Sequence, residues 1–417
     1  MRIAVVGAGV SGLVAADALR HEHEITVFEA GDRAGGHSHT VRVETATGPR
    51  DVDTGFVVFN RATYPEFCRL LERLGVGSQP TGMGFSVSDR RSGIEYAGET
   101  PAGLFAQRRN LLRPAFLRMV SDVLRFNREA ESLAARLGPE ASLGDLCATG
   151  GFSAAFRDLY LVPMGAAIWS SNERDMLAFP ARFFVRFFRN HGLFEPPGRQ
   201  LQWRVVSGSS KNYVDALVRP FAHRLRLRTP VQRVRRVPDG VEVRTDGASE
   251  RFDEVVFAAH ADQALRLLAD ATPLERQVLS AFPYQRNEAT VHTDTRVLPR
   301  RRRAWASWNY HVPADRDEPV RVTYDMSRLQ GLDTREPVLV TLNDPGTLDP
   351  GRVIARIPFD HPVFTPGSIA AQARHAEVSG SHRAHFCGAY WRNGFHEDGV
   401  VSGLAVARAF ARAEQPA

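Results

Sequence analysis

The sequence predicts an α/β domain interleaved with an α+β domain, and three stretches predict it. At the N-terminus, residues 3–6 form an apolar run, Gly7-Ala8-Gly9-Val10-Ser11-Gly12 a turn, Leu13, Ala16 and Leu19 a helical stripe, and residues 25–28 a second apolar run closed by Glu29. Near residue 206 the α/β signals return. Ser207-Gly208-Ser209-Ser210 precedes a helical pattern over 213–221, two β patterns over 225–237 and 240–244 flank Pro238-Asp239-Gly240, and residues 252–259 read as a buried strand. At the C-terminus, residues 385–399 read as strand and loop, and 400–413 as a helix.

Each part of the first stretch has a task in holding a dinucleotide. Gly7 allows a tight turn, Gly9 lets backbone approach a pyrophosphate, and Gly12 lets the helix lie close to the strand. The helix N-terminus beginning around Ser11 offers free N–H groups and a positive dipole end to phosphates. Glu29 ends the second strand where a ribose diol would lie. The adjacent Gly35 and Gly36 extend the cradle toward a larger second part of the ligand, which a nicotinamide-only dehydrogenase does not need.

The run Arg33-Ala34-Gly35-Gly36-His37-Ser38-His39-Thr40 resembles the second fingerprint of glutathione-reductase-type FAD proteins, and in particular the flavin amine-oxidase and phytoene-desaturase superfamily. His37 stands where that pattern usually has arginine. The resemblance implies a Rossmann-like FAD-binding domain with noncovalent FAD. It implies that Asp53-Thr54-Gly55-Phe56 runs under the flavin ring, that Val231 touches adenine, and that Gly388, Phe395, His396, Asp398 and Gly399 close over the pyrophosphate and the pyrimidine end. The stretches GGHSHT, DTGFVVFN, GFSVS, PMGAAIWS, NHGLF, AWASWNY and GFHEDG together are similar to a bacterial subgroup of predicted NAD/FAD-binding, amine-oxidase-like proteins. That subgroup is commonly encoded near cyclopropane-fatty-acid-synthase-like methyltransferases, which implies an acyl-lipid substrate.

The domain boundaries expected from these patterns are 1–60, 201–265 and 371–417 for the FAD-binding domain, and 61–200 and 266–370 for the substrate domain. The latter should contain helices over 64–74 and 116–137 and an antiparallel sheet using residues 289–293, 320–324 and 338–342. At 417 residues, 43% hydrophobic and 24% charged, the chain has the composition of a soluble two-domain protein. Cys68, Cys147 and Cys387 are too few and too scattered for a disulfide frame or zinc site, and no metal is expected. A core strand starting at residue 2 and the lack of a long apolar run predict a cytoplasmic protein. The net charge is +6, and Lys211 is the only lysine. Arg300–Arg303 beside Trp305 and Trp308 suits an acidic substrate or an anionic lipid surface, with peripheral membrane contact open; no nucleic-acid motif accompanies it.

True amine oxidases of the superfamily commonly place a lysine on a substrate-domain strand and two aromatic rings about the amine. The strand expected at 288–292 has no lysine, and Phe395 supplies one ring only. His292, His396 and Glu397 are the candidates for proton transfer, each with a purely structural reading beside it. Trp391, Phe395, Phe183 and Phe187 are candidates for the substrate pocket. Phe179, Phe183, Phe184, Phe187 and Phe188 recur at helical spacing with Arg182, Arg186 and Arg189 between them, as either a buried helix or a greasy channel mouth against lipid. The function expected is an FAD-dependent oxidoreductase, a desaturase or dehydrogenase moving hydride from a lipid or fatty acyl chain to flavin. The alternatives are a flavin amine oxidase and a flavin-binding accessory protein of a lipid methyltransferase.

Overall fold

The computed structural model describes residues 1–196 and 198–413. Two large sheets organise the chain. The first is a five-stranded parallel sheet in the order Leu225–Arg226, Glu24–Phe28, Arg2–Val6, Glu254–Phe257, Ala384–Phe386. Its strands come from all three of the stretches that signalled the α/β domain. The central Arg2–Val6 is buried on both faces, as its continuous apolar sequence requires. The helices Val10–Leu19 and His396–Ala413 pack on each other beside this sheet. Gly399 and Gly403 permit their approach: a Cβ on Gly399 would stand 2.6 Å from Val10 Cγ1, and one on Gly403 2.4 Å from the Ser11 carbonyl oxygen.

The β pattern expected over 225–237 divides in two. Leu225–Arg226 joins the parallel sheet, whereas Arg233–Val237 belongs to a separate antiparallel sheet with Gly240–Arg244 and Ser249–Phe252. Pro230 lies between them and removes a backbone donor where a continuous ladder would need one.

The second large sheet has seven strands, in the order Val353–Pro362, Tyr284–His292, Leu339–Leu342, Arg321–Asp325, Trp308–His311, Phe85–Asp89, Ile94–Ala97. The three strands expected from alternation are adjacent within it and antiparallel. Phe85–Asp89 pairs parallel to Trp308–His311, so the sheet is mixed. The helices Pro114–Arg136 and Ala181–Asn190 share one hydrophobic core with it. All five phenylalanines of the 179–188 series are buried. The arginines between them are exposed: Arg182 donates to the carbonyls of Ala134, Ala135 and Leu137, Arg189 pairs with Glu131, and Arg186 lies over the Phe183 ring at 5.3 Å. The phenylalanine face of this helix is therefore core, and no greasy surface faces outward from it. Among the described residues, no helix is long and apolar enough to cross a membrane.

Candidate active site

A cavity of about 1370 Å³ runs from the glycine turn of the parallel sheet to the helices over the mixed sheet. Drug-sized ligands typically occupy ~300–1,000 Å³, so this space can take a dinucleotide cofactor together with a substrate.

The three glycines of the first turn have distinct tasks. Gly7 has φ +107°, and a Cβ there would meet the Ala258 carbonyl oxygen at 2.7 Å. A Cβ on Gly12 would lie 2.1 Å from the Gly7 carbonyl oxygen, so Gly12 seats the helix on the strand and does not line the cavity. Gly9 does line it, and a Cβ there has no protein atom within 4 Å. The space beside Gly9 is what a pyrophosphate needs. Gly9 is also the N-cap of Val10–Leu19 without a side-chain cap, which leaves first-turn N–H groups to a ligand. Gly36 crosses close by, its Cβ position 3.0 Å from Gly9 Cα.

Glu29 lines the cavity. Its carboxylate accepts the Ala8 and Gly31 N–H groups at 2.8 Å each, and its remaining lone pairs suit a ribose diol. Val231, Ser11 and His37 also line the wall. Arg33 does not. It donates to the Gly36 carbonyl at 2.8 Å and the Ser38 carbonyl at 3.2 Å, so it holds the shape of the glycine-pair turn.

Asp53, Thr54, Gly55 and Phe56 all reach the cavity. Asp53 is buried and joins three segments. It accepts Thr40 Oγ1 at 2.7 Å, the Ser210 N–H at 2.9 Å and Ser210 Oγ at 2.8 Å. Burial nevertheless pushes its carboxyl up to about 6. A Cβ on Gly55 would stand 2.2 Å from the His37 carbonyl oxygen, which fixes this strand against the glycine-pair loop.

His396 lies in the first turn of the C-terminal helix, which starts four residues earlier than the apolar pattern implies. Its ring lines the cavity, and Nε2 bonds the Tyr213 hydroxyl at 2.8 Å. Tyr213 in turn bonds Ser38 Oγ at 2.5 Å. Burial holds the imidazole down to about 3, so it is neutral at neutral pH.

Other expected site residues lie away from the cavity. Glu397 accepts the Glu66 and Phe67 N–H groups at 3.0 and 2.8 Å and caps the helix Pro65–Leu74. Asp398 accepts from the Phe395 and Asn393 N–H groups and from Arg392, so it braces the preceding turn. Gly399 is a helix-packing contact, as above. His292 is fully buried in the mixed sheet, bonded to Thr341 Oγ1 at 2.7 Å and to the Asp294 N–H at 3.1 Å. It does not line the cavity. Trp391 packs against Phe282, Tyr390 and His375, also off the cavity wall. Phe183 stacks behind Phe364. Gly388, Phe395 and Phe187 do line the cavity. Phe395 stacks on Phe187, with ring centroids 4.9 Å apart, so one face of its ring is closed.

Three histidines cluster on the wall, of which only His37 was an expected site residue. His37 faces His361 and His260, with ring centroids at 5.2 and 6.0 Å, and Phe359 at 4.9 Å. Burial depresses all three imidazoles. They come from three separated segments, so no local spacing announces them. Among the described residues, no group of three or more potential ligands is arranged to hold a metal ion.

Part of the wall is apolar. Met119 and Val123 of Pro114–Arg136 line the cavity together with Met164, Ile168, Phe188 and Phe194. Lys211 is exposed and pairs with Asp215 on the helix Lys211–Val218, away from the cavity.

The chain matches the model of the family described as flavin containing amine oxidoreductase over residues 10–347. A Mycobacterium tuberculosis protein named as a flavin-containing monoamine oxidase, AofH, is 26% identical over 342 residues, covering 78% of this chain and 70% of that protein. Among solved structures, cyclohexylamine oxidase from Brevibacterium oxydans IH-35A superposes with a TM-score of 0.71 at 17% identity, covering 99% of each chain. A CLA-producing fatty acid isomerase from P. acnes gives 0.70 at 16% identity, again with 99% of each chain. At these identities the structural likeness is one of fold.

Proposed function

This chain belongs to the flavin-containing amine oxidoreductase family, and from that premise we propose that it is a desaturase or dehydrogenase of a lipid or fatty acyl substrate. It is an FAD-dependent oxidoreductase. Gly9, Ser11, Glu29, Gly36 and Val231 suit the dinucleotide, and Asp53–Phe56, Gly388 and His396 suit the ring, all on one continuous wall. FAD, held noncovalently, supplies a hydride acceptor for a substrate C–H bond.

The chain's own residues orient the substrate and exclude water. The observation that carries the lipid reading is the apolar chamber walled by Met119, Val123, Met164, Ile168, Phe188 and Phe194. It continues from the cofactor cradle and offers an acyl chain ~0.8 kcal/mol per buried CH₂, before ordering costs. A small amine, with fewer methylenes to bury, gains less from such a wall. The neutral histidines His37, His260 and His361 and the closed face of Phe395 fit an uncharged reacting centre.

The name of the mycobacterial relative favours a second reading, amine oxidation. Anaerobic stopped-flow reduction separates the two. Acyl lipids, above all methylated or unsaturated ones, should bleach the flavin, and simple mono- and polyamines should not. Rapid bleaching by an amine with lipids inert defeats the lipid reading. No bleaching by either class points to the accessory role beside a lipid methyltransferase. In the lipid reading the protein works in the cytoplasm in peripheral contact with lipid.

A further inference from the structure

Among the described residues, seven large hydrophobic side chains are exposed, and four of them fall between residues 111 and 124. Leu111 is 50% exposed, Leu112 86%, Leu117 43% and Leu124 57%. Leu111 and Leu112 sit on the short turn Arg108–Leu112, and Leu117 and Leu124 on the helix Pro114–Arg136 that follows at once. Seven residues apart on one helix, Leu117 and Leu124 share a face. A soluble chain rarely concentrates its exposed leucines in this way without a partner.

Positive charge predominates along the patch. Residues 108–128 contain six arginines, at 108, 109, 113, 118, 125 and 128, and one acid, Asp122. Asp122 is buried and accepts from Arg118, Arg125 and the Ser153 N–H, so it offsets one of these six charges and leaves an excess of five over residues 108–128. Arg108 and Arg128 make no hydrogen bond or ion pair among the described residues, and Arg128 is exposed. Exposed leucines on a segment with a net positive charge, in which Arg108 and Arg128 are unpaired, match the interface of an anionic bilayer, where apolar side chains enter the acyl boundary and arginines meet phosphates.

The patch also opens onto the active-site cavity. Leu124 and Arg128 are exposed and at the same time line it. Val120, Val123 and Asn127 continue that wall inward from the same helix. Asn127 Oδ1 is buried there without a hydrogen-bond partner. The exposed patch and the apolar chamber thus share one helix.

We propose that residues 108–128 are a peripheral docking surface for an anionic lipid bilayer, with the cavity mouth at Leu124 and Arg128 placed against it. The proposal deepens the lipid-substrate reading and names the surface through which such a substrate arrives. It needs no spanning segment and leaves the series Phe179–Phe188 in the core, where the structure has it.

Vesicle flotation of the FAD-loaded protein tests this. Phosphatidylcholine vesicles containing phosphatidylglycerol should carry the protein upward, phosphatidylcholine alone should do so far less, and salt should weaken the effect. Leu111→Ser combined with Leu112→Asp should cut binding by about tenfold or more, because both apolar anchors are lost. Arg108→Glu should weaken binding to the anionic vesicles only. All variants alter exposed side chains, so flavin content and melting temperature should match wild type. Failure of wild type to float, or unchanged flotation of the leucine variant, overturns the proposal. A wild-type dimer that the leucine variant dissolves, without vesicle binding, makes a second copy the occupant and also overturns it. The two readings fail separately. Flotation that depends on Leu111 and Leu112, in a protein whose flavin is reduced only by amines, keeps the docking surface and removes the lipid substrate.

Discussion

His396 lies flat on Phe56, with ring centroids 3.7 Å apart and planes 10° apart. This stack joins the first turn of the C-terminal helix to the segment that enters the cavity beside Asp53. Tyr213 fixes the imidazole through its hydroxyl, and burial keeps the ring uncharged. The pair thus forms a rigid, neutral floor. Tyr213→Phe should leave His396 Nε2 and Ser38 Oγ without their partner in a buried site, at a cost of about 1–3 kcal/mol. Thermal unfolding and the rate of FAD release should both worsen. A variant as stable and as tight for FAD as wild type would show that the stack is held without the tyrosine.

Glu397 works through the backbone of another helix. It accepts two N–H groups from the first turn of Pro65–Leu74, which has no capping side chain of its own. Glu397→Ala should lower stability by about 1–2 kcal/mol, the range of a lost helix cap, and leave the rate of flavin reduction near wild type. Loss of the reductive half-reaction at normal stability would return Glu397 to the chemistry.

Legibility in the sequence followed local signal. The parallel sheet was readable because its glycines, its apolar runs and Glu29 each answer to a local requirement; Gly9, Glu29 and Asp53–Phe56 line the cavity. His292 misled because alternation locates a strand without saying which face meets the cavity. Glu397 and Asp398 misled because a polar run after glycine reads as loop, while backbone N–H groups elsewhere draw these carboxylates into a helix start. The histidine cluster and the leucine patch were invisible. The first needs three distant segments brought together. The second needs knowledge of which leucines find no neighbours.

The glycines of the first turn allow a sharp contrast. Gly9 has φ −73° and ψ 176°, a backbone conformation open to any residue, and no protein atom stands where its Cβ would be. Gly9→Val should therefore fold and purify without flavin, because the side chain occupies the phosphate space. Gly12→Val should fail earlier, since even its Cβ would fall 2.1 Å from a backbone oxygen. Soluble yield and flavin absorbance separate the two. Glu29→Ala should fold and retain FAD more weakly, losing charged hydrogen bonds worth ~1.5–3 kcal/mol each. Equal flavin content in wild type, Gly9→Val and Glu29→Ala would contradict the cradle.

Acid should destabilise the fold. Burial lowers His39, His191, His292 and His361 to about 4, and His311 and His396 to about 3. The unfolded chain binds protons at these sites below 6.5, the folded chain does not until much lower pH, and stability therefore falls as pH drops through that window. Asp53 and Asp398, raised to about 6, act oppositely between about 6 and 3.8. His37, His260 and His375 are lowered as well, and Glu173, Asp325 and Glu397 raised, so nine imidazoles against five carboxyls leave a net loss. Melting temperature should be lower at about pH 5 than at about pH 7. A flat or rising profile on acidification would show that these histidines are not held neutral.

Chain length should be the dimension the apolar chamber measures. Val123 lines the cavity on the Pro114–Arg136 helix, as do Met164 and Ile168 from another segment. Val123→Trp would fill space that two or three methylenes of an acyl chain would use. At ~0.8 kcal/mol per CH₂, that is a loss of ~1.6–2.4 kcal/mol, or roughly 15- to 60-fold in affinity for long chains. Chains shorter by a few methylenes should lose little, so the preferred length should shift downward. FAD content should not change, because the nucleotide half of the wall is untouched. Titrating anaerobic flavin reduction with a series of acyl lengths reads the shift directly. An identical length profile in wild type and variant would mean that substrates do not enter along Val123, and a small amine reducing both proteins equally well would show that the chamber has no part in substrate choice.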